Sequence, residues 1–216
     1  MSVPRVKICG IRSQKDLRLA VEAGADAVGL LCDVPVDSPR EIDRETAQSL
    51  AAETPPFVSA VLVTMSQSLP DIQDLITAVN PDVVQIHGSL SAAEITELAG
   101  MVPVIHALDS AAGDAIEQSA AVADAILLDS TDASGAGGTG ETHDWEEART
   151  WVESLDVPII LAGGLTPSNV AAAVKTVKPF GVDVASGVEG PAGKDPTAVT
   201  SFVRAATDAP SEVVVE

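Results

Sequence analysis

"VKICGIRSQKDLRLAVEAGADAVGLLC", residues 6–32, decides the fold. It opens with a short apolar run that breaks at a glycine, as a strand does. "SQKDLRLAVEAG" follows, an amphipathic stretch of about three turns that begins at serine and ends at glycine, the usual start and stop of a helix. A second apolar run, "DAVGLLC", completes the unit. The same alternation continues through "FVSAVLV", "DVVQIHG", "VPVIHAL", "DAILLD", "VPIILAGG" and "GVDVAS", with amphipathic stretches such as "LPDIQDLITAVN" and "SAAEITELAG" between them. Eight strand–helix pairs can be counted, the last ending in "KDPTAVTSFVRAAT". Strict β/α alternation implies a parallel sheet. Eight repeats in 216 residues predict an α/β fold, a single (β/α)₈ TIM barrel over residues 1–206, with a frayed tail at 207–216.

An open doubly wound sheet is the competitor, because "GAGGTG" at 135–140 matches a dinucleotide-binding pattern. That fingerprint should turn directly from strand into helix, whereas "DSTDAS" intervenes here, and the first βα turn reads "CGIRSQKD". The stretch is read instead as a lid over the barrel mouth.

Composition narrows the function. Net charge is −20, from 32 acidic and 12 basic residues, so a polyanionic duplex is repelled and nucleic acid is not an expected partner. The acids are spread over helical stretches such as "EIDRETAQSLAAE", and the chain has three Phe and no Tyr. This composition predicts a protein adapted to high salt, because self-repulsion destabilises a compact state until salt screens it. No window approaches ~18 uninterrupted apolar residues, so no membrane span is expected. Two cysteines and no secretory signal predict a cytoplasmic protein.

Residues two apart on a strand share a face. Val6 and Ile8 therefore oppose Lys7 and Cys9; Val84 and Ile86 oppose Gln85 and His87. Ile126 and Leu128 oppose Leu127 and Asp129; Val182 and Val184 oppose Asp183 and Ala185. The aliphatic faces suit the outer helices, which turns Lys7, Cys9, Gln85, His87, Asp129 and Asp183 into the barrel. Six interior polar groups are costly unless they satisfy each other or a ligand. Cys9, His87 and Asp129 close their strands at the C-terminal face, where barrel active sites lie. Lys7 and Asp183 sit deeper, on the first and last strands, and are expected to pair as the barrel closes. "LAGGLTPSNV", read as a Gly163-Gly164 turn into a helix with Pro167 in its first turn, and "VASGVEGPAGKD", with Ser186 and Gly187, follow strands seven and eight. Loops there frequently bind phosphate.

In order, "VKICGIR", "SPR" (38–40), "VQIHG", "LLD" (127–129), "GGTG" with a downstream "DW", "LAGGLTPSNV" and "GVDVASGVE…GKD" resemble the phosphoribosylanthranilate isomerase family over nearly the whole chain. The resemblance implies an Amadori rearrangement of a phosphorylated small molecule in tryptophan biosynthesis, without cofactor or metal. It makes Cys9 the general base and Asp129 the general acid. It sets Arg40 on the anthranilate carboxylate, lines the pocket with Gln85 and His87, and forms the phosphate cradle from Gly163, Gly164, Ser186 and Gly187. Asp183 also reaches toward the ligand in this reading, with Lys7 in support and its charge favouring the Cys9 thiolate.

Two positions depart from the family pattern: Cys32, where an aromatic residue is common, and His143, in "HDW" rather than "FDW". Other readings are a buried Cys9 without reactivity, an Arg40 paired with Glu41 or Asp43, a related isomerase of histidine biosynthesis, and a sensor of phosphorylated metabolites. The histidine-pathway group uses paired aspartates, whereas strand one here ends in cysteine. A sensor would need the cradle without Cys9 and Asp129.

Overall fold

Eight parallel strands close on themselves in sequence order, β1 to β8. They are β1 (Arg5–Cys9), β2 (Ala27–Leu31), β3 (Ser59–Thr64), β4 (Val83–His87), β5 (Val104–Asp109), β6 (Ala125–Asp129), β7 (Ile159–Ala162) and β8 (Gly181–Val184). The structure is a computed structural model that describes residues 3–35, 38–129 and 142–209, without the side chains of 142–144. The expected lid at 135–140, the His143 side chain and the tail from 210 lie outside the described residues. Helices α1 (Gln14–Ala23), α2 (Arg44–Glu53), α3 (Leu69–Val79), α4 (Ala92–Ala99), α5 (Asp114–Ala120), α6 (Thr142–Ser154), α7 (Val170–Val177) and α8 (Pro196–Thr207) alternate with the strands. The chain is the (β/α)₈ barrel that the alternation predicts.

Local chemistry starts most of the helices where the sequence signals it. Ser13, Asp43, Ser68 and Asp195 each accept a first-turn backbone N–H, and Ser91 with Glu94 forms a reciprocal capping box. Helix α7 differs. Its regular helix begins at Val170, and the turn leading into it holds Pro167: Thr166 O accepts from Asn169 N at 3.2 Å and from Val170 N at 3.1 Å, while Asn169 Oδ1 accepts from Thr166 N at 2.7 Å and its Nδ2 donates to Gly164 O at 2.9 Å.

Strand alternation sorts two cores. Val6, Ile8, Val84, Ile86, Ile126, Leu128, Val182 and Val184 pack outward among helix residues such as Leu17, Leu75 and Phe202. Inside the barrel, Cys9 joins Val61, Val63, Ala107, Leu127 and Ala162. The buried polar groups Lys7, Gln85 and Asp183 come from the inward face of their strands. Closure pairs β1 with β8 so that Lys7 and Asp183 are direct register partners. Beyond β8 the sequence signals missed a single turn of 3₁₀ helix at Ser186–Val188 and a small hairpin, β9 (Glu189–Gly190) with β10 (Gly193–Lys194).

Candidate active site

Cys9 ends β1 and is buried, with its neighbour in β2 shaped to receive it. Gly29 is the register partner of Cys9, and a Cβ there would lie 2.6 Å from Cys9 Sγ. The Gly29 carbonyl accepts both Gly10 N and Ile11 N, at 3.0 and 2.9 Å, which turns the chain off the strand directly after the cysteine. A glycine inside a strand weakens it and often marks a close approach. The glycine in "DAVGLLC" is therefore a site signal that strand alternation alone did not use.

Below the thiol, Lys7 Nζ donates to Asp183 Oδ1 at 3.0 Å, both side chains being buried. Burial works against the Lys7 charge, but the Asp183 carboxylate and the neighbouring Cys9 outweigh it and hold the lysine above its ordinary pKa. Cys9 shows the opposite balance. Burial pushes the thiol up, Lys7 and Lys194 pull it down, and Asp183 pushes it further up; the net direction is upward. The expected favouring of thiolate by Lys7 thus falls short in this site, because burial of the thiol outweighs the lysine, whose charge Asp183 also answers. A further positive charge arriving with a ligand would shift that balance toward thiolate.

Gln85 and His87 form a second polar pair, the Gln85 amide donating to His87 Nε2 at 2.7 Å. Gln85 Oε1 is buried with no hydrogen-bond donor among the described residues. Burial, with Lys7 adding to it, lowers the His87 pKa to about 4, so the ring is neutral at neutral pH. The shift sets a pH dependence of stability. A histidine held below its unfolded value of 6.5 stabilises the fold above that pH, and the contribution is lost as pH falls toward 4. At roughly 1.4 kcal/mol per unit the loss is about 3 kcal/mol. Chemical denaturation of the wild type and of His87→Asn, in concentrated KCl, should show a smaller loss in the variant between pH 6.5 and 4. Identical slopes would remove His87 as the group responsible.

Asp129 closes β6, three strands from Cys9 around the ring in the β1–β8–β7–β6 direction. It lines a cavity of about 270 Å³ at the C-terminal mouth together with Pro35, Met65, Gln67, His87 and Gly88. A mainly apolar cavity of about 440 Å³ opens among Ala27, Val83, Ile105 and Ile160 at the strands' N-terminal ends. It lies at the opposite end of the barrel from Cys9 and Asp129.

The loops after β7 and β8 touch. Gly163 and Gly164 take φ of +80° and +60°, a left-handed pair that glycine adopts without strain. Gly187 packs so closely on the Leu165 carbonyl that a side chain there could not be accommodated. Asn169, unnoticed in "TPSNV", ties this loop together. Arg40 meets neither Glu41 nor Asp43: its Nε and Nη2 donate to Glu189 Oε1 and Oε2, both at 2.9 Å. The buried Lys194 donates to the same Glu189 at 2.8 Å and to the Ala185 carbonyl at 2.9 Å. Neither Glu189 nor Lys194 stood out in the sequence beyond its place in "GVE…GKD". Cys32 is a packing thiol in the outer core, pushed to about 11 by burial and by Asp33, and both cysteines are free.

A family model for N-(5'-phosphoribosyl)anthranilate isomerase matches residues 6–205. The chain belongs to the phosphoribosylanthranilate isomerase family. Its similarity to other family members spans whole chains. It is 53% identical to the N-(5'-phosphoribosyl)anthranilate isomerase of Haloferax volcanii, over 95% of this chain and 94% of that one. It is 54% identical to that of Haloarcula marismortui, over 97% and 99%. The crystal structure of phosphoribosyl anthranilate isomerase from Thermotoga maritima superimposes with a TM-score of 0.84 at 36% identity, covering 95% of this chain and 99% of that one. Another family structure, at 34% identity and a TM-score of 0.80 over 95% and 99%, is a complex with reduced 1-(o-carboxyphenylamino)-1-deoxyribulose 5-phosphate. Among the described residues no helix is long and apolar enough to cross a membrane.

Proposed function

We propose that this chain isomerises N-(5-phosphoribosyl)anthranilate to 1-(2-carboxyphenylamino)-1-deoxyribulose 5-phosphate, with Cys9 as general base and Asp129 as general acid. The observation that carries the reading is the arrangement of these two groups at the C-terminal ends of β1 and β6, beside two glycine loops in contact. Protonated Asp129 gives its proton to the ribose ring oxygen as the C1–O bond breaks, leaving an iminium at C1. That cation makes the C2 proton acidic, and Cys9 thiolate removes it. The electron pair moves into a C1–C2 double bond and neutralises the nitrogen. The resulting enolamine becomes the ketone when C1 takes a proton and the C2 hydroxyl loses one. The iminium also supplies the positive charge that Cys9 lacks in the free site.

The substrate's two anions have separate partners in this reading. Backbone N–H groups at Gly163, Gly164, Ser186 and Gly187 bind the phosphate, and Arg40 meets the anthranilate carboxylate. A ribose hydroxyl donates to Gln85 Oε1, relieving a buried acceptor that costs ~1–3 kcal/mol when unpaired. Asp183, held by Lys7, sets the floor of the site. Two free thiols support a reducing cytoplasm as the setting, and a net charge of −20 supports small anions held at built sites, with neither nucleic acid nor membrane as partner. The test is loss of phosphoribosylanthranilate fluorescence on adding purified protein in about 2 M KCl, a concentration chosen for screening. Turnover at 1 s⁻¹ or more, the low end of the usual enzyme range of roughly 1–10³ s⁻¹, is expected. A folded protein with no turnover at that salt would overturn the assignment.

A further inference from the structure

A guanidinium has five N–H donors, four of which form two forks that can each face a carboxylate. Glu189 occupies the side-on fork of Arg40, formed by Nε and Nη2. Among the described residues nothing else takes the end-on fork, formed by Nη1 and the second Nη2 hydrogen, which can face another carboxylate. The arginine stem is also fixed in place. Gly10, directly after Cys9, has φ of +77°, and a Cβ there would lie 2.8 Å from Arg40 Cδ. The stem therefore passes over the end of the strand that carries the base, and an alanine at position 10 would displace it.

Two carboxylates on one arginine would repel each other unless a second cation were present. Lys194 supplies it: its buried ammonium reaches Glu189 Oε1 at 2.8 Å. It is the register partner of Glu189 in the β9–β10 hairpin, so the backbone itself sets the two side by side. With a substrate carboxylate in the open fork, two cations would face two anions and the cluster would be neutral. The same ammonium holds the Ala185 carbonyl, next to Ser186 of the phosphate loop. One carboxylate thus joins the arginine to the loop that follows β8.

We propose that Glu189 is a positioning residue for substrate specificity: it takes the side-on fork of Arg40, aims the end-on fork over Cys9, and so selects substrates whose aromatic ring carries a carboxylate. Lys194 balances the charge that lets both anions share the arginine. The inference rests on Arg40 being the carboxylate-binding group proposed above, and it is tested by comparing phosphoribosylanthranilate with phosphoribosylaniline, which lacks the carboxylate. Glu189→Gln keeps the volume but weakens the hold on the arginine. KM for phosphoribosylanthranilate should rise at least about tenfold in Glu189→Gln with a smaller change in kcat, while KM for phosphoribosylaniline stays within about twofold; tenfold corresponds to the modest end of a charge-assisted bond. In an Arg40→Ala background the Glu189→Gln penalty should vanish, since contacting residues act non-additively.

An equal rise for both substrates, or a penalty that adds to that of Arg40→Ala, would show a merely structural glutamate and overturn the proposal. Failure of the parent reading looks different: Arg40→Ala would then leave the preference for phosphoribosylanthranilate over phosphoribosylaniline unchanged. Should Glu189→Gln not fold in concentrated KCl, Glu189→Asp, which keeps the charge but draws the arginine back, carries the same test.

Discussion

Replacing Cys9 by alanine, or Asp129 by asparagine, is expected to remove most turnover while the barrel stays folded in concentrated salt. Positioned acid–base groups contribute typically about 10²–10⁴ in rate, so either variant should lose at least about a hundredfold in kcat. Each change is small in volume. Cys9→Ala deletes one sulfur facing Gly29, and Asp129→Asn preserves shape at the end of β6. The pH profile should separate the two roles. Burial holds the Cys9 thiol above its ordinary value in the free enzyme, so its thiolate fraction grows with pH through the neutral range, and Asp129→Asn, which has no acid proton to lose as pH rises, should show that growth as a rise in kcat/KM. Cys9→Ala should show no such rise. Circular dichroism and the melting temperature in about 2 M KCl serve as the check on folding. Retention of more than about a tenth of wild-type kcat in either variant would remove that residue from the chemistry, given the ~10²–10⁴ scale of such groups.

The fold was legible because its signals are local. Each strand is a short apolar run closed by Gly, Pro or Asp, and each helix has its own cap, so eight repeats could be counted without knowing any contact. Strand alternation then turned Lys7, Cys9, Gln85 and Asp183 inward from sequence alone, and the register of β1 on β8 joined Lys7 to Asp183. What stayed hidden depends on distance in the chain or on competition between forces. Arg40 and Glu189 are 149 positions apart, and no periodicity links "SPR" to "GVE". The hairpin that carries Glu189 and Lys194 lies in "SGVEGPAGKD", where glycine and proline erase both the two-residue and the 3.6-residue pattern. Pro167 marked the turn into α7, but Asn169, whose side chain closes that turn on Thr166 and Gly164, gave no periodic signal. The Cys9 pKa was out of reach for another reason. Lys7 beside it predicts a thiolate, and only the burial of the thiol and the bond from Lys7 to Asp183 show why that prediction falls short.

The stability of this chain should depend on salt far more than that of an ordinary barrel. Its net charge is −20, and two of its twelve basic residues, Lys7 and Lys194, are buried with Asp183 and Glu189 as partners. Those internal pairs leave the whole imbalance to the remaining residues. A folded chain of this length has a radius of gyration of about 17 Å, against about 50 Å unfolded, so unfolding spreads the acids apart and relieves their repulsion. At about 0.1 M salt the screening length is ~10 Å, comparable to separations on the folded surface; at about 1 M it falls to ~3 Å. Raising KCl from about 0.1 M to about 2 M should therefore raise the melting temperature by at least about 10 °C. For a domain of this size that corresponds to several kcal/mol, at roughly 2–4 °C per kcal/mol. Charge and not general salting-out should be the cause. Glu22, Glu117, Glu147 and Asp156 are exposed on the helical and loop surface, and replacing all four by their amides should stabilise the protein in dilute buffer. The variant's melting temperature should also rise less steeply with KCl than the wild type's. Sucrose at matched osmolality, which strengthens burial without screening, should not reproduce the effect of KCl. A wild-type melting temperature that does not move with KCl, or an amide variant with the same salt slope, would mean that the acidic surface is only well solvated.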